Sequence, residues 1–394
     1  MTKKPDKERL YTKDVILVMA ASFFFMFSNM FINTIINGYA QSLGATESFA
    51  GMIVGMMSLT SMFLRPIAGN LTDRFSKYAL SLIGGIFIFI GIAGYVLTPN
   101  SQLLLLFRLL NGTGFVLCTV CMTTWLATLV PRAHVGQAMG FYGLMNALAM
   151  AVGPAVSINL YTRIGYKHTI LIGCGAAVAM MLMVLFVSDH AIPQAKPQTR
   201  QKKKFKLIQK DALPVAFLTT LFALPYFATQ SNLVVYTEER NLHVAVGSYF
   251  LIYAVVLLII RIALKEYFDT VRFRYWFYIS IIATAFYLLM LTVMKNNFQM
   301  ALGAAGMAIG YGVIYSVLQS TALLLAPMGE QGLASSTFYL GLDVGMAMGP
   351  ILGGFIDAQL SPANFYPVMF ILLPIMFLIY LPSRHKLNGA IDHH

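Results

Sequence analysis

Charge is scarce in this chain. Lys, Arg, Asp and Glu supply 11% of its 394 residues, against roughly 25% in an average soluble domain. So few charges cannot cover the surface of a water-soluble fold of this length, which excludes a soluble enzyme. Cysteine is scarce too, with three in all. Cys118 and Cys121 form a C-x-x-C inside the apolar run Leu103–Val130, where two thiols merely share a helix face, and Cys174 stands alone in another apolar run. Neither arrangement predicts a disulfide framework, a metal site or a redox pair. H-E-x-x-H, G-x-x-x-x-G-K-[ST] and G-x-S-x-G are all missing, and His134, His168, His243 and His385 are scattered among loops and termini. No catalytic set, cofactor or nucleotide-driven pump is expected.

Apolar residues are plentiful, at 58%, with 29 Phe, 20 Tyr and 24 Met. Apolar runs recur from Val15 to Pro382, each near the ~20 residues that cross a bilayer core. Twelve spans are predicted: 14–41, 48–70, 78–98, 101–129, 136–163, 167–187, 212–236, 245–264, 273–294, 297–326, 332–357 and 364–382. The first run is too long for a signal-peptide core and is expected to stay as a span.

The net charge of +12 does not point to nucleic acid, because no basic and aromatic residues cluster on a soluble module. The dense basic run, Lys202 to Lys204 with Lys196, Arg200, Lys206 and Lys210, falls in the polar stretch Ser188–Asp211 between two sets of six spans. It predicts a cytoplasmic loop, with anionic lipid contact as a secondary role. With the N-terminus inside, 20 Lys and Arg fall on the inner side, 4 on the outer side and 3 in or at the ends of spans. Both termini are therefore expected in the cytoplasm of a cell membrane.

The halves repeat. A shift of 196 residues places Gly51 on Gly247, Arg65 on Arg261, Asp73 on Asp269, Gly114 on Gly310, Pro131 on Pro327, Gly136 on Gly332 and Gly153-Pro154 on Gly349-Pro350. The predicted organisation is a six-helix bundle over 1–187, a cytoplasmic linker over 188–211 and a second six-helix bundle over 212–394.

Three motifs carry a resemblance. Gly69-Asn70-Leu71-Thr72-Asp73-Arg74-Phe75-Ser76-Lys77 resembles the G-x-L-x-D-R-x-G-R/K loop signature of the major facilitator superfamily. Arg108 to Gly114 resembles its fourth-helix R-x-x-x-G-x-G pattern. Gly345 to Gly354 resembles its G-x-x-x-G-P-x-x-G-G antiporter signature, although it lies in the eleventh span, and the fifth span keeps only Gly153-Pro154. Ser76 stands where the loop signature has glycine. The resemblance implies an all-α membrane protein of twelve transmembrane helices in two pseudo-symmetric bundles, most similar to the drug and metabolite:proton antiporters. The expected substrate site lies between the repeats, near the membrane midplane.

Candidate residues follow from chemistry and spacing. Gly69, Asp73 and Arg74 form a candidate gating latch, with Asp73 pairing with Arg74 or facing the positive helix N-terminus near Ser335–Thr337. Gly341, Gly345, Gly349 and Gly353 recur every fourth residue, so another backbone can approach that face, and Pro350 removes a backbone donor beside it. Static packing and a moving interface both predict such a stripe. Asn29, Asn33, Asn37 and Gln41 share one face of the first span, which lipid would reject. With Arg108, Tyr142, Asn146, Tyr226, Gln230, Tyr311, Tyr315 and Gln319 they are expected to line a cavity for a small polar or amphipathic organic molecule. In the family fold, helices 1, 4, 7 and 10 supply such walls. Asp343 is the one carboxylate well inside a span. A buried acid is costly, and its hydration would change with alternating access, so it is the expected proton carrier.

The function expected is proton-coupled export of a drug or metabolite by a monomer, with substrate, protons and membrane lipids as partners and no nucleic acid. Import or facilitated passage, lipid flipping and ligand sensing without transport stay open at this point.

Overall fold

The computed structural model describes residues 11–192, 205–360 and 364–392. Among these residues the regular secondary structure is helix, with no strand. The long helices are α1 (Lys13–Ser42), α2 (Glu47–Thr72), α3 (Lys77–Leu97) and α4 (Ser101–Leu129). The helix Val135–Leu185 contains Gly165 at φ 77°, ψ 169°, which ends one span and starts the next. Glycine reaches that backbone conformation without a Cβ clash. The two parts are α5 (135–164) and α6 (166–185). There follow α7 (Leu213–Glu239), α8 (Val246–Ala263), α9 (Phe273–Thr292), α10 (Asn297–Leu325), α11 (Gln331–Leu360) and α12 (Phe365–Ala390). Counting the break at Gly165, the described residues hold twelve spans, and the chain is a multi-pass membrane protein.

Most ends fall within a few residues of the predicted ones. The exception is α12, which continues through Pro382 and well past the predicted end at 382. Its start is stepped: Phe365–Met369 passes into Leu372–Asp392 through the tight bonds Ile371 N to Val368 O (3.1 Å) and Leu373 N to Phe370 O (3.1 Å). Pro374 has no N–H to give to Phe370, so the ordinary α pattern cannot close there. In α10, Ala308–Val313 is a π-helical turn between two α segments.

The 196-residue repeat extends to the hydrogen bonds. Asn100 caps α4 by accepting from Leu103 N at 2.9 Å, and Asn296 caps α10 by accepting from Gln299 N at 3.0 Å. Tyr39 donates to Tyr95 O at 2.7 Å, while Tyr236, one residue out of register, donates to Leu291 O at 3.0 Å. A Cβ on Gly114 would lie 2.7 Å from Ile88 Cγ1 and 2.8 Å from its backbone N, and one on Gly310 would lie 3.0 Å from Thr284 N. The same close approach thus joins α3 to α4 and α9 to α10.

The chain divides into two compact units that do not follow the 1–187 and 212–394 division throughout. Unit 1 holds 1–134, 145–209 and 327–336, and unit 2 holds 135–144, 210–326 and 337–394. The first turns of α5 and α11 are therefore each assigned to the unit built mainly from the other repeat.

Candidate functional site: two capped helix starts and two polar interiors

In unit 1, the Asp73 carboxylate accepts two backbone N–H groups at the start of α11, Gly332 N at 2.7 Å and Leu333 N at 2.9 Å. The contact is earlier on α11 than the predicted Ser335–Thr337, because the first turn is where unpaired N–H groups and the positive dipole end lie. Two glycines permit it. A Cβ on Gly69 would meet Ser336 Cβ at 2.7 Å, and one on Gly332 would meet Gly69 O and Thr72 Cβ, both at 2.8 Å. Ser336 closes the corner by donating to Arg65 O at 2.5 Å. Arg74 is exposed. Ser76, the departure from the family signature, caps α3 at Ala79 N (3.4 Å) and donates to His190 O at 2.6 Å.

Unit 2 carries a counterpart. Asp269 accepts from Gln137 N, at the start of α5, at 2.9 Å. A Cβ on Gly136 would lie 2.7 Å from the Asp269 carboxylate. Arg261, buried, donates to Gly140 O at 2.6 Å and to Gly312 O, in the π-helical turn of α10, at 2.8 Å. Asp269 and Arg261 were not among the expected site residues. Their signal was present in the repeat, which pairs Asp73 with Asp269 and Gly332 with Gly136.

The interior of unit 1 is a network of amides around a cation. Arg108 is fully buried. Its guanidinium reaches Asn33 on α1, Ile53 O (3.3 Å) and Val54 O (3.4 Å) on α2, and Asn111 Oδ1 (3.5 Å) on its own helix. Asn111 donates on to Asn29 Oδ1 at 3.2 Å, and Asn29 to Phe25 O at 2.8 Å. The amide stripe of α1 therefore divides: Asn29 and Asn33 join the Arg108 network, whereas Asn37 is exposed and bonds one turn on to Gln41 at 3.0 Å. Asn146 is 5% exposed, and neither amide atom has a hydrogen-bond partner. The thiols of the C-x-x-C face Ser81 O on α3 (Cys118, 3.7 Å) and the Thr72 hydroxyl on α2 (Cys121, 3.0 Å).

The interior of unit 2 is aromatic. Tyr226 and Tyr311 stack with centroids 4.2 Å apart and planes 21° apart, and Tyr253 and Tyr315 extend the group at 5.6 Å and 6.1 Å. Tyr315 meets Phe338 edge-on at 5.4 Å, and Gln319 donates to the Tyr339 hydroxyl at 2.9 Å. Asp343 is 3% exposed and lies one helical turn beyond Tyr339 on α11. Tyr142, on the first turns of α5, is fully buried. Gln230 is exposed and takes no part in the cluster. Tyr253 is the aromatic member that sequence reasoning missed.

The glycine stripe packs inside unit 2. Cβ atoms on Gly345 and Gly349 would meet Ala223 Cβ at 2.6 Å and Ala228 N at 2.9 Å, both on α7, and Gly341 and Gly353 face Ala216 and Asn232 of the same helix. Thr220 pins the pair through Gly341 O at 2.8 Å. At 100° per residue, Asp343 projects about 160° away from its neighbours Gly341 and Gly345 in this stripe. The stripe holds α7 against α11, and the acid points elsewhere.

The sequence profile of the Major Facilitator Superfamily matches residues 18–328. The chain belongs to this superfamily of membrane transporters. An uncharacterized MFS-type transporter of Methanocaldococcus jannaschii is 22% identical over 90% of this chain and 94% of its own. Multidrug resistance protein 1 of Bacillus subtilis is 21% identical over 80% and 82%. Among solved structures, the human organic anion transporter MFSD10 superposes with a TM-score of 0.76 at 13% identity, covering 93% of this chain and 98% of that one. At that identity the likeness shows the fold alone.

Proposed function

We propose that this transporter exports a polar or amphipathic organic molecule, a drug or a metabolite, in exchange for protons. The observation that carries the reading is Asp343, a carboxylate 3% exposed within a span and one turn from the tyrosine and glutamine face of α10 and α11. Desolvation favours a neutral acid and hydration a carboxylate. A buried acid whose access to water alternates between the two sides therefore loads a proton on one and releases it on the other. Arg108 cannot serve, because a guanidinium keeps its proton at any working pH. The similarity to a multi-drug resistance efflux pump of Streptococcus pneumoniae, 24% identical over 52% of each chain, supports the export direction.

The amides beside Arg108 in unit 1 and the stacked phenols in unit 2 are each proposed as groups suited to a polar or amphipathic organic molecule. Both termini are proposed to face the cytoplasm, in accord with the distribution of Lys and Arg. Transport would rock the bundle of 1–187 against that of 212–394, with the Asp73 cap of α11 broken and remade in each cycle. A monomer suffices for this scheme.

Reconstituted vesicles test it. Asp343→Asn is expected to abolish substrate accumulation driven by a pH gradient while leaving substrate binding and downhill exchange intact. Accumulation that persists in the mutant would remove the proton role and leave Asp343 a structural acid.

A further inference from the structure

At the end of unit 2 where α9 starts and α12 finishes, a cavity of about 410 Å³ is lined by Arg272, Arg274, Arg384, His385, Tyr278 and Asn388, among others. No carboxylate lines it. We propose that this cavity binds a phosphate-bearing anion, and that its natural occupant is the headgroup of an anionic phospholipid.

Four observations converge on the site. Arg272, Arg274 and Arg384 line one small cavity with no carboxylate in its lining, a charge balance that favours an anion. Arg384 and His385 make no hydrogen bond or ion pair with the described residues, and the neighbouring Lys386 is already paired with Asp211 outside the lining. Arg272 and Arg274 sit at the N-terminal end of α9, whose first turn holds no acid. Cations are disfavoured at that positive end of a helix, and an anion there is favoured. The walls are also held in place. Asn388 accepts from Arg274 N at 2.9 Å, tying α12 to the start of α9, and Tyr380 stacks on Phe277 at 4.0 Å beneath.

The choice of phosphate follows from guanidinium chemistry. Arginine forks pair with phosphate oxygens two at a time, and several forks suit a group with several equivalent oxygens. The choice of lipid follows from position. Tyr275 and Tyr278 are 48% and 43% exposed beside the arginines, and Arg274 lies over the Tyr275 ring at 4.5 Å and donates to its hydroxyl at 2.6 Å. Amphipathic tyrosines next to arginines at the ends of spans belong at headgroup level, and basic pockets between transmembrane helices suit anionic headgroups. The volume lies within the ~300–1,000 Å³ usual for small-ligand clefts.

Native mass spectrometry of the full-length protein, titrated with phosphatidylglycerol, with phosphatidylcholine and with inorganic phosphate, tests the site. Wild type is expected to retain phosphatidylglycerol over phosphatidylcholine. Affinity should fall about fivefold for each of Arg274→Gln and Arg384→Gln, as expected for one surface cation facing an anionic headgroup. Arg384→Lys should recover most of the loss at that position. These side chains are exposed, so the folded state is expected to survive, and an unchanged melting temperature would verify it. Inorganic phosphate bound with the same glutamine sensitivity, in the absence of lipid retention, would keep the phosphate chemistry and name a soluble phosphate ester as occupant. Equal retention of both lipids together with no phosphate binding, or retention unaffected in a variant carrying both Arg274→Gln and Arg384→Gln, would overturn the proposal.

Discussion

Arg65 and Arg261 occupy the same place in the two repeats, and both are buried near the end of their helix. Their partners differ. Arg65 donates to the Thr119 hydroxyl at 2.6 Å, at a position where α4 is an ordinary helix. Its counterpart on α10 is Tyr315, and there Arg261 reaches back to Gly312 O within the π-helical turn. A π turn reorganises the local carbonyl ladder, and such turns concentrate at functional sites. The difference continues inward. One repeat centres on a cation satisfied by three amide or carbonyl groups from other helices, the other on stacked tyrosines. A duplicated scaffold has kept its close helix crossings and its capped helix starts while its two interiors have diverged in chemistry.

The comparison can be broken at its tightest points first. Gly332→Val puts a branched side chain where a bare Cβ would already lie 2.8 Å from Gly69 O and Thr72 Cβ. It is expected to destabilise by about 1–3 kcal/mol, as overpacking does, and to slow transport most among these variants. A melting curve in detergent and a flux assay would measure both. Wild-type values in each would show that α11 need not approach the α2–α3 turn so closely.

Next comes the unit 1 network. Arg108→Met leaves Asn33 and two α2 carbonyls without their donor, at about 1–3 kcal/mol for each buried group left unsatisfied. A lowered melting temperature is expected, and a change of under a degree would mean that the amides re-pair among themselves.

The two caps can then be set against each other. Asp73→Asn loses the charge and one of two backbone bonds, for about 0.5–2 kcal/mol. It should slow interconversion between transport states, read by single-molecule distance measurements or exchange rates, more than Asp269→Asn does. Equal effects would make the two caps equivalent gates.

The smallest effect is expected in the aromatic interior. Tyr226→Leu removes the stack on Tyr311, worth about 0.5–1.5 kcal/mol beyond the area it buries. It should weaken binding of aromatic substrates more than Tyr226→Phe. If both substitutions act alike, the hydroxyl matters and the stack does not.

Most of the scaffold was legible in the chain. Apolar run length locates spans because a bilayer imposes a fixed thickness on each helix, and the break at Gly165 sits between two predicted runs. The α5 and α11 glycines, Asp73 and Asp269 were legible as repeat partners. The candidate site was legible only in part. Asn29, Asn33, Asn37 and Gln41 have identical spacing along α1, but two join Arg108 and two do not. Spacing fixes a helix face, and the neighbour at each depth of that face is chosen by packing. For the same reason Gln230 shares a helix with the buried Tyr226 but is itself exposed.

The sequence by itself determined the class of the molecule, its spans, its two-fold repeat and the family to which it belongs. These depend on local composition and on residues compared along the chain. The tertiary structure decided which helix start each aspartate caps, which helix receives the glycine stripe, and that arginines from α9 and α12 converge on one cavity. Each of these joins groups tens to hundreds of residues apart. The approach of a carboxylate to a backbone N–H, or of one helix to another across a missing Cβ, exists only after the bundles have packed.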